Sequence, residues 1–136
     1  MAKITLDDLI KVLSSNVIRY QSCIEMNFCI ENDDKYDDCW IGKMPDRYNP
    51  SKEIYWYGLV RDGSQAYDYD NLEDVLNANV FNGKSMCDVI EKVTWYSLDG
   101  CSIEERLPCY IEDYEQDCNK KASLRIVLST FTIETR

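Results

Sequence analysis

The sequence predicts an α+β fold in one globular domain spanning residues 1–136, with a mostly antiparallel sheet of four to five strands and three to four short helices. Three observations lead to this prediction. Helix-start patterns alternate with strand patterns along the chain: a helix, long strands, two helices and then strands. Two aromatic segments each end in an Asp-Gly pair, which is typical of hairpin turns. A chain of 136 residues with 45% hydrophobic residues is long enough for one core.

The predicted helices begin at residues whose side chains cap helix N-termini. Thr5 is followed three residues later by Asp8, the spacing of a capping box, and apolar residues then recur at helical intervals. Asn71 and Ser85 begin the second and third predicted helices in the same way. Apolar spacing after Pro108 predicts one more helix.

The strands are predicted from alternation and from aromatic or β-branched residues. Residues 18–30 alternate between largely apolar and largely polar side chains, which indicates one strand or two strands with a single buried face. Residues 54–60 form a continuous aromatic and apolar run that suits a central strand. Residues 94–98 predict a third strand, and the β-branched residues of 123–132 predict the last one.

Composition excludes several kinds of site. The chain has no His, so a Ser-His-Asp triad, a Cys-His pair and an HExxH zinc helix are all impossible. The seven Cys include no CxxC pair, and we expect Cys23 and Cys29 to share a strand too far apart for a disulfide. We therefore expect free thiols, no cofactor, no metal and no catalytic residue. A cysteine or metal–carboxylate site is the enzymatic alternative that the composition leaves.

Charge and the N-terminal residues bear on location and partners. Acids occur before any apolar segment of the kind a signal peptide needs, and no apolar run is long enough to span a membrane. We therefore expect a cytoplasmic protein. A net charge of −10 disfavours direct binding to nucleic acid or to an anionic membrane.

The negative charge is concentrated in three acidic clusters: cluster 1 (residues 31–38), cluster 2 (residues 68–74) and cluster 3 (residues 112–117). Each cluster has a net charge of −4, and the rest of the chain totals +2. Their acids and adjacent tyrosines are the predicted partner contacts: Asp33, Asp34, Tyr36, Asp37 and Asp38; Tyr67, Asp68, Tyr69 and Asp70; and Glu112, Asp113, Tyr114 and Glu115.

The clusters allow two interpretations. Tyrosine beside acids suits a protein interface, because it offers contact area at a low entropic cost. Acids two residues apart on a strand are separated by roughly 7 Å, close to the spacing of about 6–7 Å between phosphates on one nucleic-acid strand. Such clusters could occupy a basic nucleic-acid-binding groove. Alternatively, the acids are solvated and only maintain solubility. Convergence of the clusters on one face would favour the first interpretation.

One stretch carries a resemblance to known proteins. Residues 71–85 read NLEDVLNANVFNGKS and continue through Val89 and Ile90 to Trp95 and an Asp-Gly pair. This stretch resembles a pattern in small uncharacterised proteins from phages and mobile elements of Gram-positive bacteria. In size, acidity and style of sequence, the chain is also similar to anti-CRISPR proteins, particularly inhibitors of Cas9. That similarity implies an inhibitor that blocks the Cas9–guide complex by imitating DNA.

The sequence therefore favours a non-enzymatic acidic inhibitor that binds a basic nucleic-acid-binding protein, with a Cas9–guide complex as the leading candidate, and that blocks DNA binding by mimicry. The alternative is an accessory or scaffold protein of a phage or mobile element, with a solubilising acidic surface and an unknown partner. Neither hypothesis assigns direct binding to nucleic acid or to a membrane, and the oligomeric state stays open.

Overall fold

The computed structural model describes the backbone of residues 2–134 and the side chains of residues 2–119. Its helices and strands follow in chain order: α1 (Leu6–Leu13), α2 (Val17–Tyr20), β1 (Ile24–Ile30), β2 (Cys39–Pro45), β3 (Glu53–Gly58), β4 (Ala66–Tyr69), α3 (Leu72–Asn77), α4 (Met86–Val89), β5 (Val93–Leu98) and α5 (Ile103–Glu134). Short 3-10 turns occupy Asp34–Tyr36 and Ile90–Lys92.

The five strands form one antiparallel sheet in the order β4-β3-β2-β1-β5. The predicted α+β fold is therefore confirmed, and the strands predicted at residues 54–60 and 94–98 correspond to β3 and β5. Inward-facing residues alternate along the strands and form a core with the helices, which lie on one face of the sheet. The opposite face carries no described helix.

The helix caps are those that the sequence predicts. The Thr5 and Ser85 side chains each take part in a capping box at the start of α1 and α4. The Asn71 side chain accepts a hydrogen bond from the backbone of Asp74 and caps α3. These caps depend only on residues within one turn of the chain, and for that reason they can be identified without tertiary information.

The two Asp-Gly pairs have different roles. Asp62-Gly63 lies in the hairpin that joins β3 to β4, as the turn pattern predicts. Asp99 and Gly100 have φ angles of 54° and 78°, and Leu98 and Cys101 exchange backbone hydrogen bonds across them. Positive φ at both central residues is the geometry of a tight hairpin turn. This turn is followed by α5 rather than by another strand.

Three predicted elements differ in the structure. Residues 123–132 belong to α5 and not to a last strand. No Gly or Pro follows Pro108 to end that helix, and β-branched composition is a weak preference that context overrides. Helix α5 also begins at Ile103, before Pro108.

The alternating segment 18–30 is a strand only in its second half. Residues 18–20 lie in α2, which Asn16 caps by accepting a hydrogen bond from the backbone of Arg19. Residues 21–23 connect this helix to β1, beginning with Gln21 at a φ of 49°. Cys23 therefore precedes β1 and does not share a strand with Cys29. The short β-like alternation is overridden by local capping at both ends of this helical turn.

Candidate functional site

Cluster 1 forms the loop between β1 and β2. Asp33 caps the short 3-10 turn by accepting a hydrogen bond of 3.1 Å from the backbone of Lys35. Tyr36 is only 1% exposed, and its hydroxyl donates to the carbonyl of Val80 at 3.2 Å. Tyr36 therefore anchors the loop in the core, while Asp34 is exposed.

Asp37 and Asp38 of cluster 1 lie at the end of the sheet where the central strand β2 begins. Asp37 forms an ion pair of 3.2 Å with Arg61, whose guanidinium also lies 3.8 Å from Asp38. Asp38 accepts a hydrogen bond of 3.0 Å from the side chain of Asn27 on β1. Arg61 thus offsets part of the negative charge of the cluster.

Cluster 2 follows the short edge strand β4 into α3. Asp68 is exposed and faces outward opposite Trp56 of β3. Tyr67 is also exposed, but on the other face, and Tyr69 is half-buried against the ring of Tyr57. Asp70 forms an ion pair of 2.8 Å with Lys52.

Cluster 3 lies on α5, beside α1. Glu112, Asp113 and Glu115 are exposed, and Tyr114 is half-buried. The ammonium of Lys11 on α1 lies 5.9 Å from the centre of the Tyr114 ring. Cluster 3 therefore belongs to the helical side of the protein.

The three clusters do not share one face. Asp38 immediately precedes β2, whereas Asp70 adjoins the far end of that strand in the sheet register. The corresponding positions are six residues apart along β2, about 20 Å. Because cluster 3 is on the helical side, the acids surround the protein rather than forming one continuous patch.

The sheet instead brings together residues on its uncovered side. We call this side the outer face. It includes Glu25, Asn27, Cys29, Trp40, Gly42, Met44, Ile54, Trp56, Gly58, Ala66, Asp68, Thr94, Tyr96 and Ser97. Trp40, Met44 and Tyr96 are 36%, 39% and 38% exposed. An exposed aromatic and apolar group on one sheet face is a feature of binding surfaces.

The centre of the outer face is built around Trp56. A Cβ atom at Gly42 would lie only 2.5 Å from the Trp56 ring, so the indole covers the Gly42 backbone. The far edge of the same ring reaches to within 3.9 Å of the Cβ position at Gly58. The missing side chain at Gly42 therefore lets the indole lie against the sheet.

Tyr96 and Cys29 form a side-chain contact on the outer face. The Tyr96 hydroxyl donates a hydrogen bond of 3.0 Å to the sulfur of Cys29. That hydrogen bond is the largest cause of a raised pKa at Tyr96, and the negative charges of Asp37 and Asp38 raise this pKa further. Both the hydrogen bond to Cys29 and the nearby carboxylates thus favour the neutral form of the Tyr96 hydroxyl.

The charge of the outer face is negative. Glu25 and Asp68 lie on it, and Asp38 reaches it through its hydrogen bond to Asn27. None of its members, all of them among the described residues, is a Lys or an Arg. Aromatic rings beside carboxylates suit cationic side chains, which bind to both kinds of group.

The thiols and carboxylates are the groups on which the enzymatic alternative depends. The described residues contain no group of three or more Cys, Asp and Glu side chains that could hold a metal ion. All seven Cys are free thiols, and burial raises the pKa of Cys39 to about 12, so this thiol stays protonated at neutral pH. No helix among the described residues is long and apolar enough to cross a membrane.

The aromatic residues of the outer face are not among the contacts predicted from the sequence. The signal lies in the segment Cys39–Pro45, where Trp40, Gly42 and Met44 alternate with residues of the inner face. Lys43 is a charged residue at a buried, inner position, so the segment does not show the regular apolar–polar alternation that predicts a strand. Comparison with protein-family models, curated proteins and solved structures finds no match to this chain.

Proposed function

We propose that this protein is a non-enzymatic acidic inhibitor that binds a basic nucleic-acid-binding enzyme in the cytoplasm and blocks its access to DNA by mimicry. The first candidate partner is a Cas9–guide complex, on the strength of the sequence resemblance. Since the three clusters do not converge, the observation that carries the proposal is the hydrogen bond that joins Asp38 of cluster 1 to Asn27 of the aromatic outer face.

Carboxylates can substitute for phosphates because the same cationic side chains bind both groups. Proteins that bind DNA present lysines and arginines along a groove, and an acidic protein is steered toward such a groove by its charge. The exposed acid Asp34 and the acids Asp37 and Asp38 lie on one loop. The ion pair of Asp37 with Arg61 is exposed, so it can exchange for a partner's cation at little cost.

The test is competition between this protein and a labelled PAM-containing DNA duplex for a purified Cas9–guide complex, at several salt concentrations. We expect displacement of the DNA at low salt that weakens as salt increases, because screening reduces the attraction. The triple variant Asp34→Asn, Asp37→Asn and Asp38→Asn should weaken competition by about tenfold or more.

The matched control is the triple variant Glu112→Gln, Asp113→Asn and Glu115→Gln, which removes the same charge from cluster 3. Competition by this control should change by less than about twofold, because these acids lie on the helical side of the protein. Thermal melts of both variants verify that each is folded. Absence of binding at low salt, or equal losses in the two triple variants, would refute the proposal.

A further inference from the structure

The outer face carries aromatic side chains that the core does not use. Trp40 is 36% exposed and lies beside Trp56, whose indole covers the backbone of Gly42. Tyrosines and tryptophans that serve only stability are normally turned inward, as Trp95 is on the inner face of the same sheet. Two neighbouring strands thus hold two indoles on the side that no described helix covers.

The position of Trp56 is set before any partner binds. A side chain at position 42 would displace its ring, because a Cβ atom there would lie 2.5 Å from the indole, and glycine occupies that position. A ring already held against a rigid sheet loses little conformational freedom on binding, so more of its contact energy appears as affinity. Trp56 is therefore suited to act as a fixed platform for a planar group.

Charge decides between the occupants that could cover this face. Asp38 and Asp68 lie on either side of the tryptophans, and Glu25 lies on β1. A second copy of this chain would bring the same acids together, and like charges facing each other oppose association. A basic partner would instead be attracted by each of these three carboxylates.

We propose that the outer face binds arginine side chains of a protein partner. A guanidinium is planar and weakly hydrated, so it stacks on an indole while donating two parallel hydrogen bonds to a carboxylate. Trp40 and Trp56 supply the stacking surfaces, and Asp38 and Asp68 supply the carboxylates. This inference rests on the proposed function and names the side-chain chemistry through which the acidic protein recognises its partner.

The experiment uses the full-length protein and two synthetic peptides of equal length and charge, one of alternating Gly and Arg, the other of alternating Gly and Lys. Titration followed by tryptophan fluorescence and by amide chemical shifts should give a dissociation constant about two- to fivefold lower for the Arg peptide. The shifts should map to β2 and β3. Trp40→Ala should abolish the preference, and Asp68→Asn should weaken the binding of both peptides.

Two controls match these variants. Tyr48→Ala removes an aromatic side chain that is 89% exposed but lies outside the outer face, and it should leave the Arg preference unchanged. Glu112→Gln removes one acid from cluster 3 and should affect binding less than Asp68→Asn does. Equal affinity for the two peptides, or shifts that map to α5, would overturn the inference. So would a dimer in sedimentation that Trp40→Ala dissociates, because the occupant would then be a second copy.

The inference and the proposed function can fail separately. If the Arg preference is present and depends on Trp40, but the Cas9–guide complex does not bind, the arginine-binding face is supported and the proposed partner is refuted. If the Cas9–guide complex binds wild type, Trp40→Ala and Asp68→Asn equally well, the proposed function stands and the arginine-binding face is refuted.

Discussion

Replacing Lys43 with Met should destabilise the fold by about 3–4 kcal/mol, the lower part of the range for breaking a buried ion pair, because the partner Glu53 is 29% exposed. The Lys43 side chain is 2% exposed on the inner face of β2, and its ammonium lies 3.0 Å from the carboxylate of Glu53. The ammonium also donates hydrogen bonds to the carbonyls of Leu13 at 3.0 Å and Ser15 at 2.7 Å. It thereby satisfies backbone acceptors at the end of α1.

The magnitude follows from what the substitution leaves behind. Glu53 also accepts a hydrogen bond of 3.1 Å from the backbone of Val17, so turning fully into water would leave that N–H group at the start of α2 without its acceptor. Each hydrogen bond to a charged group is worth about 1.5–3 kcal/mol, and its loss leaves a part-buried acceptor. Two carbonyls and one carboxylate lose their donor together, and Met restores only the apolar volume of the lysine stem.

The assay is urea denaturation of the wild type and the variant, followed by circular dichroism. With a slope of about 2 kcal/mol per molar urea, a loss of about 4 kcal/mol moves the midpoint down by about 2 M. Lys52→Met is the matched control, because the Lys52–Asp70 ion pair has a similar length of 2.8 Å but its side chains are 43% and 70% exposed.

The control should lose less than about 1 kcal/mol, since exposed ion pairs contribute little. The double variant Lys43→Met with Glu53→Gln should be more stable than the sum of the single losses predicts, because the uncompensated charge is removed. If Lys43→Met costs no more than Lys52→Met, the buried ammonium does not hold the ends of α1 and α2 together, and the reasoning fails.

Three further predictions concern the thiols and the sheet. Cys39 should react with iodoacetamide at pH 8 about a thousandfold more slowly than a free thiol, since its pKa is raised from 9.0 to about 12. Exposed Cys101 should react readily. Mass spectrometry after timed alkylation would contradict the prediction if the two thiols were labelled at the same rate. The free energy of unfolding should fall as pH rises above about 9. Burial raises the pKa of both Cys39 and Tyr57, so the native state keeps protons on these groups that the unfolded chain releases. In urea titrations at several pH values, Cys39→Ala should make the free energy of unfolding depend less on pH. Gly42→Ala should destabilise the fold by about 1–3 kcal/mol, because its Cβ would come within 2.2 Å of a β1 carbonyl oxygen. Gly58→Ala should cost less, since its Cβ would make contacts no closer than 3.9 Å. Equal decreases in melting temperature for the two variants would contradict the close packing at Gly42.

The parts of the fold that the sequence predicts depend on local chemistry. The caps at Thr5, Asn71 and Ser85 involve residues three positions apart, so the chain segment itself contains all the information. Strand β2 was not predicted, because Lys43 at an inner position looks polar until the end of α1 is known to lie over it. That contact joins residues 30 positions apart, which no local pattern reveals.

The candidate site divides in the same way. The acidic clusters can be identified from the sequence, since the net charge of a segment depends only on its residues. Their separation over the surface depends on the register of β2, β3 and β4, and the register is a tertiary property. Tyr36 shows the limit most clearly: a tyrosine among acids suggests an exposed contact, but its hydroxyl finds a backbone carbonyl 44 residues away and the ring is buried.

Asn27 explains how an acidic loop and an aromatic sheet face can act as one surface. Its side-chain amide donates to the Asp38 carboxylate at 3.0 Å and to the Cys39 carbonyl at 2.9 Å, so the loop is tied to the middle of β1 where β2 begins. Tyr36 holds the same loop from the core side. A loop fixed at both points does not have to be ordered when a partner binds, and its acids keep a constant position relative to Trp40. The carboxylates of cluster 1 therefore have a defined position relative to the aromatic residues of the outer face.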